Sequence, residues 1–126
     1  MPHELIALNQ RLLDAIANGD WAVYQELCDS TLTAFEPEAC GQLVEGLPFH
    51  KFYFDLGGFG GKRQTTMTSP HVRVMGDVAV VSCVRLVQGT TPDGAAVTKA
   101  FEETRVWQRQ EGRWRHVHFH RSTPTG

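Results

Sequence analysis

The sequence predicts an α+β domain in which helices come first and a sheet of consecutive strands follows. Three observations carry this prediction. Apolar residues near the amino terminus recur at helical steps, the segment 71–121 alternates apolar and polar residues, and short turn-forming stretches interrupt that alternation. Helices followed by an unbroken run of strands is the α+β order.

Three helices are predicted in the first half of the chain. The first ends at Asn18–Gly19, because glycine accepts the left-handed backbone that follows a helix. Its apolar stripe is formed by Leu5, Leu8, Leu12 and Ile16. Asp20 can cap a second helix that runs through Tyr24 to Cys28. A third, short helix starts near Pro48, which suits a first helical turn, in the aromatic-rich segment 47–55.

The strands are predicted from β-forming residues and turn chemistry. A short strand covers 31–35 and is stopped by Pro37. The glycine-rich segment 57–61 is a loop. A meander follows, with strands over 71–75, 78–88, 98–110 and 113–121 and turns at 76–77, 91–94 and 111–112.

Composition limits the partners and the location that we expect. With 126 residues and 41% hydrophobic content, the chain is predicted to form one domain over 1–126. A net charge of −2 provides no basic field for nucleic acid or an anionic membrane. Three cysteines without CxxC spacing (Cys28, Cys40 and Cys83) indicate free thiols in a reducing compartment. We recognise no signal peptide or membrane-spanning stretch and predict a cytoplasmic protein.

Three arginines stand on strand faces that are otherwise apolar. Side chains alternate along a strand, so Arg85, Arg105 and Arg121 point the same way as the apolar residues two positions away. A guanidinium does not lose its proton, so each must meet a carboxylate, water or a bound anion. Three interpretations are open: a structural network with Glu103 and Glu36, strand ends that fray into solvent, or a pocket that accepts an anion.

Histidines provide two further candidate sites. His116, His118 and His120 alternate along the last strand and are predicted to share one face, an arrangement that can ligate zinc. No acidic residue or cysteine stands among them, so interfacial hydrogen bonding is the alternative, and we expect no metal and no cofactor. His50 is isolated on the aromatic helix, which is more typical of a core or rim residue than of a catalyst.

The reverse of the strand that carries Arg85 is also apolar, with Val78, Val80, Val84 and Leu86. A sheet with two apolar faces needs cover on both sides, and three helices can cover one of them. We therefore predict a homo-oligomer. The alternative is a monomer whose outer face is partly covered by loops.

Six stretches of the sequence carry a resemblance to a known family: LTAFEPE at 32–38, LVEG at 43–46, FHKFYF at 49–54, SPHV at 69–72, EETRVW at 102–107 and VHFHRS at 117–122. Through them the chain, from about Glu4 to Ser122, resembles the association (hub) domain of calcium/calmodulin-dependent protein kinase II. Matched stretches of this length, in the same order, are far more specific than any single short motif.

The resemblance implies the nuclear-transport-factor-2-like fold, a cone made by a curved antiparallel sheet wrapped around about three N-terminal helices. It also implies self-association into dimers that stack into a closed ring. The sequence lacks the GxGxxGxV, HRD and DFG motifs of a kinase. We therefore expect a stand-alone association domain, without kinase activity or calmodulin binding.

The resemblance further implies a deep pocket that is lined by arginines and accepts small carboxylates. Arg85, Arg105 and Arg121 match the family's pocket arginines, and His50 matches a pocket histidine. Glu36 and Tyr24 match positions near the same cavity. The segment 57–61 departs from the family because it is shorter and richer in glycine, and Phe59 is the candidate for the aromatic residue at the pocket mouth.

Two functions follow as expectations, and a third interpretation is a protein-interaction module that joins such rings or delivers a partner. The first is a non-enzymatic association domain with an anion-binding pocket. The alternative is a small isomerase, dehydratase or cyclase of the same fold, in which Glu36 and His50 act as acid and base and the arginines stabilise an enolate. The position of Glu36 separates them, because a Glu36 that pairs with the arginines has a structural role.

Overall fold

The computed structural model describes residues 2–57 and 63–124. Apart from Gly57, the predicted glycine loop lies outside the described residues, and so does Phe59. Within these residues there are three α-helices, and all three were predicted: α1 (Pro2–Asn18), α2 (Trp21–Leu27) and α3 (Pro48–Asp55). The Asp20 carboxylate caps α2 by accepting a hydrogen bond from the Val23 N–H at 3.2 Å.

In the part of the chain that the structure describes, six strands form one curved sheet in the order β2-β1-β6-β5-β4-β3. Their bounds are β1 (Cys28–Phe35), β2 (Val44–Glu45), β3 (Gln64–Met75), β4 (Val78–Thr90), β5 (Ala96–Gln110) and β6 (Arg113–Ser122). The sheet is mixed rather than wholly antiparallel, because β1 and β6 pair in parallel. These two strands are far apart in sequence, so no local turn fixes their relative direction, and strand patterning alone did not reveal it.

Two strand predictions needed correction at their starts. The first strand begins at Cys28 rather than at residue 31, directly after α2. β3 begins at Gln64 rather than at residue 71, because the strand continues through Pro70 instead of starting after it. The register of β3 against β4 shifts between Thr68 and His71, and Ser69 has a φ of 49°. An edge strand with a bulge tolerates a proline that a central strand would not.

A bulge in β6 changes which face its histidines occupy. His118 pairs with Val106 and His116 pairs with Trp107, so Val117 has no partner on β5. One extra residue reverses the alternation beyond it. His116 is buried beside Trp107, whereas His118 bonds Thr33 at 2.7 Å and is half-buried. The prediction that His116, His118 and His120 share one face is therefore wrong.

The sheet has an inner face, which packs on the helices, and an outer face. Along β4 the inner-face residues Ala79, Val81, Cys83 and Arg85 are all buried. The α1 side chain Asn9 reaches this face and accepts a hydrogen bond from the Trp107 indole N–H at 3.1 Å. The apolar core lies here, between the helices and the inner face.

The outer face is apolar on the same strand but less well covered. Its β4 residues are only half-buried: Val78, Val80, Ser82, Val84 and Leu86.

None of the helices in 2–57 and 63–124 is long and apolar enough to cross a membrane.

Candidate functional site

A cavity of about 520 Å³ opens between the inner face of the sheet and the helices. Neighbouring strands β4, β5 and β6 each place one arginine in it: Arg85, Arg105 and Arg121. Tyr24 from α2 and His50 from α3 lie on the helix side, and Glu36 follows β1. All six residues that the sequence selected thus border one cavity.

The Glu103 carboxylate joins two of the arginines. Its Oε2 lies 3.0 Å from Arg85 Nη1, and its Oε1 lies 2.9 Å from Arg105 Nε. Burial alone would raise the pKa of Glu103, but the Arg105 and Arg85 charges outweigh it, and the pKa falls to about 2. The structural Arg–Glu network that the sequence left open is present, and Glu103 is its centre.

All three guanidinium nitrogens of Arg105 have partners within this network. Its Nη2 also lies 3.1 Å from Glu103 Oε2, and its Nη1 lies 3.4 Å from His116 Nε2. The guanidinium stacks on the Phe119 ring at 4.3 Å and is completely buried. Burial lowers the pKa of Arg105, but the charge and hydrogen bonds of Glu103, together with Tyr24 and Cys28, outweigh burial, so the pKa lies above its ordinary value. Arg105 therefore braces Glu103.

The buried positive charge of Arg85 is balanced much less completely than that of Arg105. It makes one bond to Glu103, and its Nε is buried without a hydrogen-bond partner in the part of the chain that the structure describes. Burial lowers the pKa of Arg85, and Glu103 does not make up the difference. Two buried guanidiniums share one buried carboxylate, which leaves an excess positive charge on the Arg85 side of the cavity.

Arg121 lies nearer the cavity mouth, between two other carboxylates. Its Nη2 hydrogen-bonds the Glu38 carboxylate and lies 4.0 Å from Glu36 Oε2. Its guanidinium also lies over the Phe101 ring, 4.8 Å from the centroid. Burial raises the pKa of Glu38, but the hydrogen bond and charge of Arg121 bring it below its ordinary value.

Glu36 and His50 mainly satisfy each other. His50 Nε2 lies 3.1 Å from Glu36 Oε1, and both side chains are buried. His50 Nδ1 is buried and has no hydrogen-bond partner among the described residues. A catalytic base needs an accessible lone pair beside its substrate. Neither nitrogen of His50 offers one, and Glu36 is held between His50 and Arg121, so the pair resembles a structural contact.

His116 is a neutral histidine that connects Arg105 to Cys28. Arg105 can only donate, so His116 Nε2 accepts and its Nδ1–H points to Cys28 Sγ at 3.4 Å. Burial, with the Arg105 charge, lowers the pKa of His116 well below its ordinary value. Burial also raises the pKa of Cys28 to about 12, so this thiol stays protonated at neutral pH and is not a nucleophile.

A larger, more open depression of about 660 Å³ lies on the outer face. Its lining includes His71, His118, His120 and Glu102 but no arginine or lysine. Across 2–57 and 63–124, no group of three or more histidine, cysteine or acidic residues is placed to hold a metal ion. The cationic inner cavity is therefore the candidate ligand site.

The family profile of the calcium/calmodulin-dependent protein kinase II association domain matches residues 2–125. The chain belongs to this family. The delta subunit of the kinase from Oryctolagus cuniculus is 47% identical, over 97% of this chain and 24% of the subunit. The chain thus spans about a quarter of the length of that curated relative.

Solved structures agree with the family and the fold. The hub homology domain from Chlamydamonas reinhardtii is 48% identical, with a TM-score of 0.92 and 98% of each chain covered. A nuclear-transport-factor-2-like protein from Cytophaga hutchinsonii is 20% identical, with a TM-score of 0.80 over 97% of both chains. At that identity it shows the fold alone. The predicted family and the nuclear-transport-factor-2-like fold are confirmed.

The sequence did not single out two residues that shape the cavity. Phe101 lies under Arg121 and near Arg85, 4.8 and 6.0 Å from their guanidinium carbons. Glu38 contacts Arg121 across 83 positions of sequence. The available signal was the Glu36-Pro37-Glu38 motif, in which a proline sets two carboxylates at the end of β1.

Proposed function

We propose that this chain is an association domain that assembles with copies of itself and holds a small carboxylate or similar anion in the inner cavity. The family membership supports the first part. Arg85 supports the second, because it is a buried, under-compensated guanidinium that borders a cavity of about 520 Å³.

Self-association is expected through the outer face of the sheet. Half-buried valines on β4, such as Val80 and Val84, leave an apolar surface there. Light scattering at several protein concentrations tests the assembly, with a ring of dimers as the expected product. Val80→Asp is expected to lower the mass, while Ala22→Asp, at an exposed α2 position, is expected to leave it unchanged. A wild-type chain that stays monomeric at all concentrations contradicts this part.

The anion is expected to bind at Arg85 and Arg121 rather than at Arg105. Arg105 already uses its Nε, Nη1 and Nη2 within the protein. A carboxylate that reaches Arg85 supplies the missing negative charge and gains a charge-assisted hydrogen bond. Phe101 and Phe54 give the bound molecule an apolar wall, so short aliphatic carboxylates suit the site better than inorganic anions.

Calorimetric titration with sodium butyrate tests the pocket. Binding to the wild type and a loss of about tenfold or more in Arg85→Gln are expected. Arg113→Gln removes the same charge from an exposed strand end and is the matched control. No heat with butyrate, acetate or propionate, or equal binding to both variants, rejects the pocket. The mutual Glu36–His50 contact gives no support to the enzymatic alternative.

A further inference from the structure

Glu38 puts a carboxylate of the protein itself on one of the cavity arginines. It lies on a short 3₁₀ turn (Pro37–Ala39) between β1 and β2, and its Oε1 contacts Arg121 Nη2. We propose that Glu38 is an internal competitor for the anion site, which occupies Arg121 until a ligand carboxylate displaces it and so sets the affinity of the pocket. This inference rests on the proposed anion-binding function.

Glu38 differs from the other two carboxylates of the site in how easily it can leave. The side chain of Glu38 is 39% exposed, whereas those of Glu36 and Glu103 are 5% and 1% exposed. Glu103 bonds two arginines, and Glu36 is held by His50. Moving either one would leave a carboxylate or guanidinium buried without a partner. Glu38 needs only to rotate its side chain into water.

The backbone on both sides of Glu38 is fixed, so the exchange requires no movement of the turn. The Ala39 and Cys40 N–H groups donate to the carbonyls of Glu36 and Pro37, each at 3.1 Å. Before the turn, Phe35 pairs with His120, one residue from Arg121. The main chain thus holds Glu38 beside Arg121 whether or not the two side chains touch.

The position of the contact makes it a determinant of specificity. Arg121 borders the same cavity as Arg85, and both guanidiniums lie by the Phe101 ring, so a carboxylate at Arg85 can take Arg121 as a second cationic partner. While Glu38 occupies Arg121, an incoming anion must exchange one charge-assisted bond for another and gains little at that end. A displaced Glu38 stays at the cavity mouth, where its charge opposes a second anionic group. The pocket should therefore favour monocarboxylates over dicarboxylates.

Titration of Glu38→Gln with sodium butyrate and disodium succinate tests the inference. The neutral side chain frees the Arg121 charge, so butyrate should bind about three- to tenfold tighter than to the wild type. Succinate should gain more than butyrate does. Glu45→Gln makes the same charge change at an exposed residue of β2, away from the cavity, and should change neither affinity.

A second background separates competition from a general change of charge. In Arg121→Gln, adding Glu38→Gln should change butyrate affinity by less than twofold, because the contested guanidinium is gone. Butyrate affinity that is equal in Glu38→Gln and Glu45→Gln, or weaker in Glu38→Gln, overturns the competitor role. If either result is found while the wild type still binds butyrate through Arg85, the proposed anion-binding function stands and only the competitor role of Glu38 is lost. Absence of binding in every variant rejects both.

Discussion

Arg85 reaches Glu103 diagonally across two paired strands, with Nη1 and Oε2 3.0 Å apart. Arg85 lies opposite Phe101 and Glu103 lies opposite Cys83, so the pair spans the register by two residues. The contact neutralises one carboxylate and leaves the Arg85 guanidinium only partly satisfied. The same buried contact thus affects both stability and ligand binding. Substitutions at its different residues should affect these two properties to different degrees.

Glu103→Gln should cost about 3–5 kcal/mol in the free energy of unfolding, because it leaves two buried guanidiniums with a neutral partner. Urea unfolding at fixed protein concentration measures the change. Glu26→Gln is the control, since Glu26 pairs with Arg11 at the surface, 2.8 Å away and half exposed on both sides. That pair should contribute less than about 1 kcal/mol. A similar cost for both variants would contradict the central position of Glu103.

Arg105 should contribute more to the stability of the fold, and Arg85 should contribute more to carboxylate binding. Arg105→Gln removes the main partner of Glu103 and should cost about 3 kcal/mol or more. Arg85→Gln leaves Glu103 paired with Arg105 and should cost about 1–2 kcal/mol, while it loses most of the carboxylate affinity. Thermal unfolding and calorimetry on the same samples give both quantities. Greater destabilisation by Arg85→Gln would reverse the assigned roles.

His116 should make the protein less stable as the pH falls below about 6.5. Its pKa is depressed in the folded state, so only the unfolded chain takes up the proton in this range. The unfolding free energy then falls by up to about 1.4 kcal/mol per pH unit from this residue. Urea titrations between pH 7.5 and 5.5 should show a shallower decline in His116→Gln. A decline as steep in His116→Gln as in the wild type would contradict this assignment.

Asn9→Ala should destabilise the fold by about 1–3 kcal/mol, because the Trp107 indole N–H would then be buried without an acceptor. Asn18→Ala, at the exposed end of the same helix, is the comparison. Urea unfolding and the Trp107 indole proton resonance report the effect together. An unchanged resonance in Asn9→Ala would show that the hydrogen bond is absent in solution.

Strand alternation predicted the inner-face arginines because the pairing that carries them is regular. β4 and β5 pair without a shift from Val78 to Thr90, so the face of Arg85 and of Arg105 follows from counting residues. On β6, Arg121 lies beyond the bulge but keeps the expected alternation with Phe119. His116 lies before the bulge and was misplaced, since no residue in the segment marks the extra position.

The contact between Glu38 and Arg121 did not follow from strand alternation. Glu38 meets Arg121 only because β1 and β6 pair in parallel, with Phe35 opposite His120. That pairing joins segments 85 positions apart, such as Thr33 and His118, and local residue preferences do not encode it. The division of roles between Arg85 and Arg105 likewise depends on side-chain geometry around Glu103, which strand alternation does not describe.

The most direct test of the carboxylate pocket is a crystal structure with 3-bromopropionate, located by the anomalous signal of its bromine. A bromine peak is expected inside the inner cavity, near Phe101, with the carboxylate within hydrogen-bond distance of Arg85. A bromine peak only in the outer-face depression, or an empty cavity at saturating ligand, would contradict it.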